Sequence, residues 1–111
     1  MTRDPALEAR MLHDLGYPAD IASKAMFGGL CYMLNGHMLC AARKGRAMYR
    51  VGPDAQDKAL TFAGTEPMIQ GGRAKRGFIW LSGDPLEDDG LRRALARMSL
   101  EFVSHLPAKD A

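Results

Sequence analysis

A two-layer α+β domain, with a five-stranded antiparallel sheet and helices on one face, is predicted by three features of this sequence. Helix-start signals stand at Asp4-Pro5 and Asp84-Pro85, apolar residues follow each at helical spacing, and the stretch between them alternates short apolar runs with glycine turns. The element order reads α-β-β-β-α-β-β-α. A chain of 111 residues has the size of a single domain, 1–111, and buries roughly two thirds of the surface its unfolded form exposes.

The first helix starts where Asp4 can cap free amide donors and Pro5 fits a position that needs no N–H. Leu7, Met11 and Leu15 repeat every four residues with Leu12 beside them, and Gly16 and Pro18 end the pattern. From Ala25 to Val51 the reading is a three-stranded meander turned at Asn35-Gly36 and Lys44-Gly45, because both residues of Asn-Gly accept positive φ. Two-residue turns set Leu34 opposite His37 and Arg43 opposite Arg46.

That register assigns every side chain to a face. Cys31, Met33, Met38, Cys40, Ala42, Ala47, Tyr49 and Val51 are expected beneath the helices. Leu30, Tyr32, Leu34, Leu39 and Met48 are expected on the opposite face with Arg43, Arg46 and Arg50, a mixture too apolar for simple solvation and too basic for a core. This second face is the expected interface.

A second helix is signalled at Gly52-Pro53-Asp54, with Ala55, Ala59, Leu60, Phe62 and Ala63 apolar and Gly64 as its stop. Pro67 to Gln70 and Arg76 to Ser82 read as two more strands, joined by a basic, glycine-rich loop. After Asp84-Pro85, Leu91, Leu95, Met98, Phe102 and Leu106 trace the face of the longest helix, whose regular part starts near Asp88 or Asp89 because Gly90 costs helicity.

Four segments, in order, carry a resemblance. They are Met26-Phe27-Gly28-Gly29, the turn Asn35-Gly36, then Gly64-Thr65-Glu66-Pro67-Met68, and Gly72-Arg73 to Arg76-Gly77. In them the chain resembles the N-terminal domain of the TfoX/Sxy family, bacterial proteins linked to regulation of natural competence. The resemblance spans most of the chain and implies a two-layer α+β domain with an antiparallel sheet. Regulators of the family carry a further C-terminal domain, whereas this chain is similar to the short, stand-alone members.

Charge and composition narrow the function classes. Apolar residues make up 47% and charged ones 25%, the balance of a packed globular protein. A net charge of +2 gives no general attraction to nucleic acid or membrane, so any basic site must be local. The first fifteen residues hold no apolar signal core and no run reaches membrane-spanning length, so a cytoplasmic protein with reduced thiols is expected.

Among candidate chemistries, Cys31 and Cys40 face each other in the predicted register and suggest a thiol switch, beside the plainer reading of two small buried side chains. His37 between them makes no recognised zinc spacing, and His13 and His105 lack partners at ligand spacing. The Gly71 to Gly77 loop, with Arg73, Lys75 and Arg76, is a candidate anion nest that lacks the ending of a nucleotide-binding loop. Ser23, Ser82, Ser99 and Ser104 have no nucleophile-elbow context. Glu66 is singled out only by its motif. Glu87, Asp88 and Asp89 suit a helix N-terminus.

The reading is therefore a non-enzymatic binding or regulatory module, with no catalytic residue, metal or cofactor assigned. It is expected to act as a homodimer through the apolar and arginine-rich face, with another regulatory protein as a further partner. Direct nucleic-acid contact is disfavoured because few aromatic residues interleave the arginines. The alternative is a small-molecule enzyme or redox sensor using Cys31 and Cys40 or the Gly71 to Gly77 loop.

Overall fold

A computed structural model describes residues 3–26 and 28–108. Its elements run α1 (Pro5–Asp14), β1 (Ile21–Met26), β2 (Gly29–Leu34), β3 (His37–Arg43), β4 (Arg46–Arg50), α2 (Gln56–Ala59), β5 (Thr65–Gln70), β6 (Arg73–Ser82), a 3₁₀ turn (Asp84–Glu87) and α3 (Asp89–Val103). The expected two-layer α+β class holds. The sheet has six antiparallel strands rather than five, in the order β1-β2-β3-β4-β6-β5.

Local chemistry accounts for the helix ends. The Leu7 amide donates to Asp4 Oδ1 at 3.2 Å, and the Leu91 amide donates to Asp88 Oδ1 at 3.1 Å. The first signal of the last helix, Asp84-Pro85, makes only the 3₁₀ turn, and α3 starts afresh at Asp89. The second helix shrinks to a single turn, Gln56–Ala59.

The extra strand is β1, a mostly exposed edge paired residue for residue with β2. At the other edge β5 carries Pro67, whose missing N–H an edge strand tolerates.

One irregularity decides the faces. Leu34 pairs with His37 and Met33 with Met38, as two-residue turn geometry requires, but Tyr32 then pairs with Cys40. Leu39 is the extra residue of a β-bulge, and beyond it the register has slipped by one. Cys31 therefore lies opposite Ala41, which corrects the expected Cys31 and Cys40 pairing. Past the second turn Arg43 pairs with Arg46 as expected.

Helices α1 and α3 cover one face. Leu30, Tyr32, Leu34 and Leu39, expected on the uncovered side, pack into this core with Cys40, Ala42, Ala47, Tyr49 and Val51. Cys31, Met33 and Met38, expected beneath the helices, turn to the opposite face beside Ala41 and Met48. The bulge is the physical reason: it aims the successive residues Leu39 and Cys40 at the helices and exchanges the two sides of β2 relative to β3 and β4.

An ionic cluster ties the helical layer together. Arg92, 1% exposed, donates from Nε to Asp14 Oδ2 at 2.9 Å, from Nη1 to the Leu86 carbonyl at 2.9 Å, and from Nη2 to Asp89. Burial works against the Arg92 charge, but the bonds to Asp14 and Asp89 prevail and hold its pKa above its ordinary value. The Tyr32 hydroxyl donates to the Glu8 carbonyl at 2.7 Å and so joins the sheet to α1.

Candidate functional site

The face away from the helices has its own apolar cluster. Cys31, Ala41 and Met48 are its buried centre, with Met26, Met33, Met38, Met68, Phe78 and Trp80 packed around them. Met26 belongs to β1 and Met68 to β5, the two edge strands, so the sheet curls until both edges border one hollow. The hairpin tip contributes Ile69, Gln70 and Lys75, and the resulting groove has a volume of about 300 Å³. An irregularity in the β5 and β6 register between Pro67 and Ile69 accompanies this bend.

Cations surround the groove in two different states. The Arg46 guanidinium lies 3.6 Å from the centre of the Trp80 ring and 3.7 Å from Glu66, so its charge is already engaged. Arg50 stands 5.3 Å from the Phe78 ring and 5.6 Å from that of Phe102. Arg43 and Lys75 both line the groove. Neither takes part in any ion pair among the described residues. Lys75 reaches Gln70 Oε1, at 3.3 Å, and the Phe78 ring, at 4.9 Å.

Gly29 explains how Arg43 reaches its place. A Cβ on Gly29 would sit 2.3 Å from the Ala42 carbonyl oxygen and 2.8 Å from Arg43 Cγ. The bare backbone of Gly29 leaves the room that Arg43 Cγ takes up.

Of the expected interface residues, Met48, Arg43, Arg46 and Arg50 lie on or beside this open face. Leu30, Tyr32, Leu34 and Leu39 do not, since they belong to the helix-side core. The expected basic loop is shorter than the sequence suggests: Gly71 and Gly72 form the turn, with φ of 60° and 79°, while Arg73, Lys75 and Arg76 belong to β6. Arg73 and Ala74 pair with Gln70 and Ile69 of β5, and the Gly77 amide donates to the Gln56 side chain, so the three basic side chains extend along a strand instead of enclosing one loop.

The two thiols lie on opposite faces of the sheet, Cys31 in the open-face cluster and Cys40 in the helix-side core. That placement removes the paired-thiol switch. Burial pushes the Cys31 thiol up, and pushes Cys40 further, with Cys31 and Asp14 adding to the effect. Among the described residues no group of three or more His, Cys, Asp or Glu side chains is arranged to hold a metal ion. No helix among them is long and apolar enough to cross a membrane.

Three of the four motif segments meet at the groove. Met26 and Gly29 line it from the first, Met68 from the third and Lys75 from within the fourth, while Glu66 sits beside Arg46. Gly28 forms the tight connection before β2 with φ of 74°, Pro67 lies on the edge strand, Gly72 is in the hairpin turn and Arg73 opens β6 opposite Gln70. Gly77 has a structural part, since its carbonyl accepts from the Gly52 amide at 3.1 Å. Phe27 lies outside the described residues.

Sequence reasoning missed the curl of the sheet and with it the groove. Met26 and Met68 stand in the quoted motifs, yet nothing local says that two edge strands share one hollow.

Fold and groove define a two-layer α+β domain with one sheet face covered and the other open. Residues 12–103 match the family model described as the TfoX N-terminal domain. The chain belongs to that family. No match emerges among the curated proteins or among the solved structures.

Proposed function

We propose that this chain is a non-enzymatic binding module of regulatory type whose working surface is the open face of the sheet. The convergence of Met26, Gly29, Met68 and Lys75 on one groove carries this reading. These residues come from three separate motif segments, and a shared packing role would not require them to border a concavity left uncovered by the helices. A place in the regulation of competence or transcription is the corresponding role at the level of the family.

Affinity capture with crosslinking from the native cell tests the reading. Capture is expected to be lost in the Arg43→Ala, Arg46→Ala double variant and kept in Arg97→Ala, a change on α3 away from the open face. Equal capture by all three proteins overturns it.

A second reading, self-association through the same face, is favoured by Glu66 beside Arg46. A twofold-related copy can exchange these partners across an isologous interface. A monomer by light scattering at micromolar concentration excludes this version. Charge weighs against it, because face-to-face copies would also bring Arg43 and Lys75 toward like charges.

A further inference from the structure

The open-face groove joins an apolar lining to two cations that have no acidic partner among the described residues, and this combination specifies a ligand class. Met26, Met38, Met48 and Met68 line it with Cys31 and Ala41. Methionine side chains are unbranched and polarizable, so they adapt to a flexible apolar chain better than to one rigid shape. Arg43 and Lys75 border the same space, and neither belongs to the ion pairs among the described residues. A guanidinium and an ammonium together complement a carboxylate, the guanidinium through two parallel N–H donors.

Other occupants fit less well. Nucleic-acid bases need open aromatic faces, whereas the Trp80 ring is covered by Arg46 and the Phe78 ring is approached by Arg50 and Lys75. A partner helix needs a long, open trough, whereas both edge strands border this hollow and its volume of about 300 Å³ lies at the small end for small-molecule sites.

We propose that the groove binds a free medium-chain acyl carboxylate, its tail among the methionines and its carboxylate held by Arg43 and Lys75. This rests on reading the open face as the working surface and adds the chemical class of what it takes.

Trp80 is the chain's single tryptophan and lines the groove, so its fluorescence reports occupancy directly. The full chain is titrated with sodium decanoate, and in parallel with decanol, decyltrimethylammonium and acetate. Decanoate is expected to give a saturable change, acetate none, and the uncharged and cationic chains much weaker binding. Arg43→Met and Lys75→Met, both made at side chains outside the core, should each weaken decanoate by about tenfold or more while leaving decanol unchanged.

Absence of a saturable change with decanoate overturns the proposal. So does equal binding of decanol or decyltrimethylammonium, or decanoate affinity that is unaffected by both substitutions. If decanoate fails while capture still depends on Arg43 and Arg46, the ligand class falls and the binding face stands. If both fail, the face itself is wrong.

Discussion

The two faces of this sheet are drawn from the same strands, yet their side chains differ in kind. Toward the helices stand Leu34, Leu39, Tyr49, Val51, Ile79 and Leu81, with Tyr49 the bulkiest and only 1% exposed. Toward the open side stand Met33, Met38 and Met48, with Met26 and Met68 from the edge strands. Branched aliphatic residues have few rotamers and lock a single packing arrangement, whereas methionine, which outnumbers Phe78 and Trp80 on the open side, rearranges at little cost. Alternation thus lets one set of strands hold a rigid scaffold on one side and an adaptable surface on the other, and a change on one side leaves the other's chemistry nearly untouched.

The strongest way to break that contrast is through the ionic cluster under α3. Arg92→Met leaves Asp14, whose side chain is 1% exposed, without its principal cation and should cost about 3–5 kcal/mol in urea unfolding. Adding Asp14→Leu should recover much of that loss, since an apolar pair has no stranded charge. A cost within error of zero for the single change would mean that the helical layer is not held by this pair.

The contrast itself is sharpened by paired truncations. Leu95→Ala, at a fully buried site on α3, should lose about 2–5 kcal/mol. Met38→Ala, half-buried on the open face, should lose less than about 1 kcal/mol. Similar losses at the two sites would erase the distinction between scaffold and surface.

A smaller and more gradual effect is expected with pH. Burial first, then Cys40 and Glu8, push the Tyr32 hydroxyl up to about 12, and burial raises Tyr49, Cys31 and Cys40 as well. Each group stays neutral in the fold while its unfolded counterpart ionises near its ordinary value, 9.0 for cysteine and 10.0 for tyrosine. Their contribution is therefore complete below 9.0 and is lost as pH rises through the folded values. Thermal melts should fall steadily above that pH. Native alkylation should reach Cys31, which lines the groove, before Cys40 in the core.

Much of the architecture was legible because its signals are local. Asp4-Pro5 sets the start of α1, Asn35-Gly36 turns with φ of 54° and 83°, and Leu34 meets His37 as counting from that turn predicts. The site was not legible in the same way. Leu39 looks like any strand leucine, and only its fit against α1 and α3 makes it a bulge, so a register counted from the turn fails beyond it. The short run Ile21–Met26 lacks a buried side and so gives little alternation to read. Arg92 interrupts an apolar stripe, and its burial depends on Asp14, 78 positions away. Arg43, Arg46, Arg50 and Met48 fall on the expected side of the sheet because all four follow the bulge, where parity is restored.

Gly29 and Arg43 share one slot across β2, with Arg43 Cγ 2.8 Å from where a Cβ at Gly29 would be. Their histories should consequently be linked. A lineage that acquires a bulkier residue at the first position must reroute or shorten the second, and with it surrender the cation at the mouth of the hollow. Because the same Cβ would also lie 2.3 Å from the Ala42 carbonyl oxygen, drift at this glycine would strain the pairing of β2 with β3 and alter selectivity together.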